Sequence, residues 1–317
     1  MPEVSVIIVC MNRMDNLYPC LSSLRGNCSL ELEVLVVAYM FTEENLAAAK
    51  ADFPWVKFIE SNEIRGFSEN NNLALRQAGG RFCFVLNDDT EIHEPVIERL
   101  LEDFRKLPAD TAIVSPKIYS GDGSLQLCGR PSHNAWHYFL QQCHLWKEKA
   151  DNVTDKTPVT DMIYRTCDIT GAAFLIRTDI FRELGWFDES YFFTPEDMAL
   201  SDLARSKGYG VYVDAGTSLV HKWRTTASRL TPAIRPSAVR GSVMFFSRGS
   251  RLRYALLGAG VFLAESAKML KAAAVATIAP AEAHYAAYLT YRHIVRNIFT
   301  RRTPKEIFIR YYRELNG

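Results

Sequence analysis

The sequence predicts an α/β fold, a doubly wound sheet followed by a basic helical extension, and three observations carry that expectation. The opening run Val4 to Cys10 is almost continuously apolar and β-branched, the pattern of a central strand covered on both faces. Strand-like and helix-like patterns then alternate, with short loops, as far as Pro116. Finally, the charge is lopsided. The 317 residues hold 37 Lys/Arg and 36 Asp/Glu, yet from Arg240 onward thirteen basic residues face four acidic ones, which leaves +9 on the tail and −8 on the rest.

Taken in order, Leu17, Cys20, Leu21 and Leu24 fall at helical spacing after the first strand, with Asn and Asp at hand for the N-cap and Gly26 for the stop. The pattern then predicts a strand over Glu33–Val37, a helix over Thr42–Ala51, a strand over Val56–Glu60 and a helix over Ser68–Ala78. A strand over Arg81–Leu86, a helix over Pro95–Leu107 and a strand over Ala112–Pro116 follow. From Tyr119 to Asp168 regularity fades into a Gly-, Pro- and aromatic-rich stretch whose length marks a functional insertion. Order returns with a strand in GAAFLIR, a short helix in TDIFRELG, a helix behind Pro195 in PEDMALSDLARSKG and a strand in YGVYVDAG. Beyond His221 the clearest segments are helical, Arg251–Pro280 and Ala281–Phe299.

Composition sets bounds on function. With 48% hydrophobic residues the chain can bury a large core, and a net charge of +1 gives no reason to expect nucleic acid as a partner. The seven cysteines are odd in number and show no CxxC spacing, so they are expected as reduced core thiols of a cytosolic protein. The N-terminus lacks a basic n-region, so no signal peptide is expected, and Asn152-Val153-Thr154 is read as an incidental sequon. The longest apolar run of the tail, Tyr254 to Ala264, is shorter than the roughly 20 residues a spanning helix needs. Apolar stretches there are punctuated by Lys268, Lys271, Arg292, Arg296, Arg301 and Arg302. Such a segment suits the anionic inner face of the cytoplasmic membrane, and a helical lid or dimer surface explains it equally.

Three constellations bear chemistry. In FCFVLNDDT an apolar strand runs into Asn87, Asp88 and Asp89. If the chain stays extended to Thr90, Asn87 and Asp89 point one way and Asp88 the other, at the strand end where such sheets bind ligands. Mg²⁺ or Mn²⁺ takes such oxygens and leaves its other positions to phosphate and water; an acidic turn capping the helix near Pro95 accounts for them as well. Glu196 and Asp197 stand at a helix start, where the dipole alone favours carboxylates and where a general base would also be held. GFSENNN, Gly66 to Asn72, offers amides suited to phosphate or sugar hydroxyls, or simply a polar cap. His221, in SLVHKW, is by itself as readily a packed histidine as a ligand.

The order of these pieces resembles glycosyltransferase family 2, inverting nucleotide-sugar transferases of GT-A fold, a Rossmann-like, doubly wound mixed sheet. The resemblance covers residues 3 to 225 and rests on VSVIIVCMNR, GFSENNNLAL, LNDDTEI, GAAFLIRTDIFRELGWFDESYFFTPEDMAL and His221. The long fourth motif is the most specific. Within the family the chain looks most like rhamnosyltransferase-type enzymes of bacterial surface polysaccharide synthesis. The resemblance implies a catalytic domain over 1–225 and a basic helical region over 226–317. It also implies that Asp89 binds the divalent cation, Mg²⁺ or Mn²⁺, that bridges the nucleoside diphosphate, with His221 completing that site. Asn87 and Asp88 would lie near the ribose or diphosphate, and Asn12 in the first nucleotide loop. Asn71 and Asn72 would face the sugar nucleotide, with Gly171 and Ala172 on the wall under donor sugar and acceptor. Asp197, beside Glu196, would be the base that deprotonates the acceptor hydroxyl. The implied partners are a dTDP- or UDP-sugar donor and a glycan or lipid-linked acceptor.

Two positions depart from the family pattern. Ala38 stands where an acidic residue usually reads the nucleobase, and Ala199 replaces the second acid of the E-D-x-D pattern. These substitutions keep a non-catalytic sugar-binding relative in view. A sugar-phosphate nucleotidylyltransferase would open with a glycine-rich phosphate loop, whereas CMNRMDNL holds no glycine, and no GxGxxG marks a dehydrogenase.

Overall fold

The apolar opening forms β1 (Val4–Cys10), buried on both faces as its patterning requires. In this computed structural model residues 2–149, 157–222 and 230–316 are described. The sequon at Asn152 and the expected domain boundary at 225/226 lie outside them. α1 (Met14–Asn27) buries Leu17, Cys20, Leu21 and Leu24, but its ends differ from expectation. Asn12 adopts φ 52°, Arg13 takes the cap position without a side-chain bond, and Gly26 sits inside the last turn. β2 (Glu33–Tyr39), α2 (Glu43–Asp52), β3 (Val56–Ser61), α3 (Phe67–Leu75) and β4 (Phe82–Asn87) follow. All four strands run parallel, in the order β3-β2-β1-β4.

After β4 the chain turns at Asp88-Asp89 before β5 (Thr90–Glu91), so the extended alternation expected through Thr90 stops at Asn87. α4 (Val96–Lys106) starts at Pro95 with no side-chain cap, so neither aspartate is spent on capping it. β6 (Thr111–Tyr119) then leads into the insertion, which holds β7 (Gly129–Arg130), α5 (Ala135–Gln142), β8 (Ile163–Arg165) and β9 (Asp168–Ile169). β10 (Ala173–Arg177), α6 (Thr178–Glu183), α7 (Glu196–Ser206) and β11 (Gly210–His221) complete this half. The 9-stranded sheet has the order β3-β2-β1-β4-β10-β6-β11-β5, with β8 beside β11. β10 lies antiparallel between β4 and β6, which makes the sheet mixed and brings the start of β10 to the carboxyl end of β4.

The tail forms α8 (Thr231–Ser247), α9 (Arg251–Ile278), α10 (Glu282–Asn297) and α11 (Pro304–Asn316). These helices share cores with the first half: Tyr138 of α5 packs with Val243, Leu257 and Ile294, and Phe192 with Ile307, Phe308 and Tyr311. A Cβ on Gly241 would stand 2.5 Å from the Thr194 carbonyl oxygen, so only glycine lets α8 approach the chain entering α7 this closely. All seven cysteines are free thiols; Cys10, Cys20, Cys83 and Cys128 are buried as expected, whereas Cys28, Cys143 and Cys167 are only half-buried. No described helix is long and apolar enough to cross a membrane.

Candidate active site

Strand pairing assembles the first half of the site. β11 pairs with β5 so that His221 lies opposite Thr90, and the Lys222 N–H donates to the Asp89 carbonyl at 2.9 Å. That register puts His221 Nε2 at 3.1 Å from Asp89 Oδ1 and 3.4 Å from Asn87 Nδ2. Gln126, from the insertion, fixes the ring. Its amide nitrogen donates to the His221 carbonyl at 2.8 Å and to Ser120 Oγ at 3.1 Å, so Oε1 must be the atom that accepts the Nδ1 proton at 2.9 Å. The other ring nitrogen, Nε2, then faces Asp89. At 3.1 Å the imidazole nitrogen and the carboxylate oxygen are close enough to share a proton or to be bridged by a cation. That separation is also what two neighbouring ligands show around a cation with bonds of about 2.1 Å, so the donor set fits Mg²⁺ or Mn²⁺. Among the described residues no group of three or more His, Cys, Asp or Glu forms a closed cage. A two-ligand set is the kind a cation shares with phosphate oxygens.

The second half begins at the first turn of α7. Asp197 accepts from the Met198 N–H at 2.7 Å and from the Gly171 N–H at 3.0 Å. It lines a cavity of about 230 Å³ with Arg130, His133, Tyr138, Trp146, Ser242 and Phe246. Burial pushes its carboxyl above the usual carboxylate range while Arg130 holds against that rise, giving a carboxylate of increased proton affinity. Behind it lies a charge network built around the buried Asp168. Arg130 donates to Glu148 and to Asp168, each at 2.8 Å, and His133 Nδ1 lies 2.9 Å from the same Asp168 oxygen. Burial by itself would lower the His133 pKa, but its contacts with Asp168 and Cys167 together outweigh burial and carry the imidazole up to about 9.

One dipeptide joins the halves. The Asn87 N–H donates to the Ala172 carbonyl at 2.9 Å, and the preceding Gly171 N–H is the one that binds Asp197. Two hydrogen bonds through Gly171 and Ala172 thus link the end of β4, where Asn87 sits, to Asp197. The other expected site residues are engaged differently. Asn12 accepts from the Asn45 amide at 2.9 Å and ties the loop after β1 to α2. The Asn71 amide donates to the Phe67 carbonyl at 3.0 Å. Asn72 donates to the Phe187 carbonyl and to Glu189 and accepts from the Phe187 N–H, pinning the GWFDE loop to α3. Burial pushes Asp88, beside Cys10, up to about 7. Glu196 is buried with Oε2 unpartnered among the described residues, and burial raises its pKa well above the usual range.

Gln126, Arg130, His133 and Asp168 were not among the expected site residues. Their contacts reach 95 residues from Gln126 to His221 and 38 from Arg130 to Asp168, and they arise in or beside the irregular insertion. The available signal was chemical: an arginine and a histidine in GRPSH, and an aspartate in the apolar approach to GAAF. Ala199 lines a separate outer cavity of about 720 Å³ and not the one that holds Asp197, so its missing carboxylate takes nothing from that cavity.

Comparison with known proteins bears on the family and the fold. The sequence profile of Glycosyl transferase family 2 matches residues 5–185. The O-antigen biosynthesis protein RfbC of Myxococcus xanthus is 25% identical over 240 residues, which cover 74% of this chain and 18% of that protein. This chain thus spans less than a fifth of that relative's length. Among solved structures, the mannosyltransferase PcManGT of Pyrobaculum calidifontis in complex with GDP-Man and Mn²⁺ superposes with a TM-score of 0.55 at 15% identity, covering 99% of this chain and 87% of that one. GalNAc-T7 with UDP, GalNAc and Mn²⁺ also gives 0.55, at 18% identity, over 71% of this chain and 45% of that one. At such identities the likeness establishes the fold.

Proposed function

The chain belongs to glycosyl transferase family 2 and is a glycosyltransferase of GT-A fold, and from that premise we propose the reaction its site performs. It moves a sugar from a nucleoside-diphosphate donor, UDP- or dTDP-linked, to a hydroxyl of a glycan or lipid-linked acceptor, in bacterial surface polysaccharide synthesis at the cytoplasmic face. The O-antigen relative and the nucleotide-sugar and Mn²⁺ complexes of the structural neighbours support this reading.

The observation that carries it is the two-bond path from Asn87 through Ala172 and Gly171 to Asp197. It supports a site in which a pair of cation donors works with a carboxylate of raised proton affinity. Asp89 and His221 would hold the metal, which when bound offsets the charge building on the leaving diphosphate. Asn87 binds beside them. Asp197, its two oxygens oriented by main-chain N–H groups, accepts the acceptor's hydroxyl proton as that oxygen bonds to the anomeric carbon. The bond from that carbon to the diphosphate oxygen breaks on the opposite face, and its electron pair leaves with the diphosphate. Attack opposite the leaving group inverts the anomeric centre without a covalent enzyme intermediate.

A thermal-shift panel of nucleotide sugars with and without Mn²⁺ tests the assignment. Stabilisation by a UDP- or dTDP-sugar that needs Mn²⁺, and that Asp89→Ala abolishes, is the expected result. Donor binding indifferent both to chelator and to Asp89→Ala would remove the metal from the site.

A further inference from the structure

α9 departs from the pattern of a surface helix. Its buried residues, Leu257, Val261 and Glu265, lie along one side. On the opposite side a water-facing helix carries polar groups. Here stand Leu252, Leu256, Leu263 and Leu270, each 67–69% exposed, within about 40° of one another around the axis. Ile278, 83% exposed, prolongs the stripe. Exposed Ala259, Ala267 and Ala274 fill this face between the larger side chains. From Leu252 to Ile278 it runs about 39 Å at 1.5 Å per residue. Apolar surface of that extent marks an interaction site.

Charge selects the occupant. Exposed Arg251, Arg253 and Lys271 border the stripe, and the single carboxylate of α9, Glu265, is buried on the other side with Lys268. A second copy would set basic edge against basic edge. An anionic lipid surface satisfies both the leucines and the bases. The insertion adds to the same side: Phe139 of α5 packs where a Cβ on Gly260 would be, at the stripe's edge, and Trp136, 63% exposed, lies 5.6 Å from Phe139 between ring centroids. Tryptophan favours the membrane interface.

We propose that the α9 stripe, with Trp136, seats the protein on anionic phospholipid head groups, the helix lying in the plane of the interface. His137, Tyr138 and Gln141 of the same α5 line the Asp197 cavity. A lipid-linked hydroxyl therefore arrives one short helix away from the candidate base. That last step rests on the transferase reading; the docking does not.

The full chain is floated with vesicles of phosphatidylcholine alone and of phosphatidylcholine mixed with phosphatidylglycerol. Binding to the anionic vesicles, weakened by salt, is expected. The double variant Leu256→Glu/Leu263→Glu lowers it about tenfold or more, with circular dichroism and the donor-induced thermal shift unchanged. Arg251→Gln, Arg253→Gln and Lys271→Gln each lower it about fivefold. No binding, equal binding to neutral vesicles, or binding that survives the leucine changes overturns the proposal. So does a dimer in sedimentation velocity that Leu263→Glu dissociates, since the stripe would then belong to a second copy. Loss of donor binding with vesicle binding intact would instead count against the transferase reading and leave the docking surface standing.

Discussion

The two halves of the site are built on opposite electrostatic principles. At the Asp89–His221 end, an imidazole nitrogen and a carboxylate oxygen hang from paired strands 3.1 Å apart, a spacing that a cation from outside can bridge. At the Asp197 end the fold supplies opposite charges to one another: Arg130 pairs with Glu148 and Asp168, and His133 with Asp168, around an Asp168 that is fully buried. The first half is therefore tuned by what binds. The second is tuned by what the fold itself supplies, and changes there should act on chemistry and stability more than on donor affinity.

The largest expected effect tests that division directly. Asp197→Asn keeps the size of the side chain and removes the proton acceptor, so kcat should fall about 10²- to 10⁴-fold. Donor affinity, measured by calorimetry, should stay within about twofold. A variant that turns over normally would take Asp197 out of the reaction. Next in size is the fold's dependence on the second half. Arg130→Met leaves the buried Asp168 with His133 as its remaining cation and should cost about 3–5 kcal/mol in urea unfolding. Asp89→Ala, measured without metal, should change stability by less than about 1 kcal/mol. Equal losses from the two would erase the contrast.

The same contrast explains what was legible in the sequence. Strands and helices through β6 follow their apolar periods closely, because continuous β-branched runs and Leu17-Cys20-Leu21-Leu24 spacing encode local structure and burial together. Asn87, Asp89, His221 and Asp197 could be named because each sits at the end of such an element. Their mutual placement could not, since it depends on β10 entering antiparallel between β4 and β6 and on the β5–β11 register. The turn at Asp88-Asp89 broke the simple alternation argument, yet pairing with β11 still carried Asp89 to His221. The charge network was invisible for a different reason. It joins the irregular insertion to the strand before GAAF, and no period announces which polar side chain in such a stretch will be buried. Asn72 marks the converse limit: its amide looked free for a ligand and is spent on the GWFDE loop.

A smaller effect probes the first half through its support. Gln126 orients the His221 ring from outside the donor pair, so Gln126→Leu should weaken Mn²⁺ affinity about 10- to 100-fold in a calorimetric titration, with little change in the thermal midpoint of the metal-free protein. Unchanged affinity would mean that the ring needs no such support.

The smallest effect is a pH dependence confined to the second half. The His133 pKa is about 9 in the folded protein, burial opposing and the contacts with Asp168 and Cys167 outweighing it, against an ordinary value of 6.5. A raised base binds its proton more tightly when folded, so its contribution is full below pH 6.5 and is lost as pH rises through 9. The slope is at most about 1.4 kcal/mol per pH unit. Two other titratable groups face this ring, Cys167 Sγ at 3.5 Å and Asp202 at 3.8 Å, so the window is assigned by difference. Urea unfolding of the parent, His133→Gln and Cys167→Ser across that range should show the parent's advantage over His133→Gln shrinking as pH rises, with Cys167→Ser keeping most of that pH dependence because Asp168 still holds the ring. A gap that stays constant with pH would mean that His133 is neutral beside Asp168, and that Arg130 alone balances the buried carboxylate.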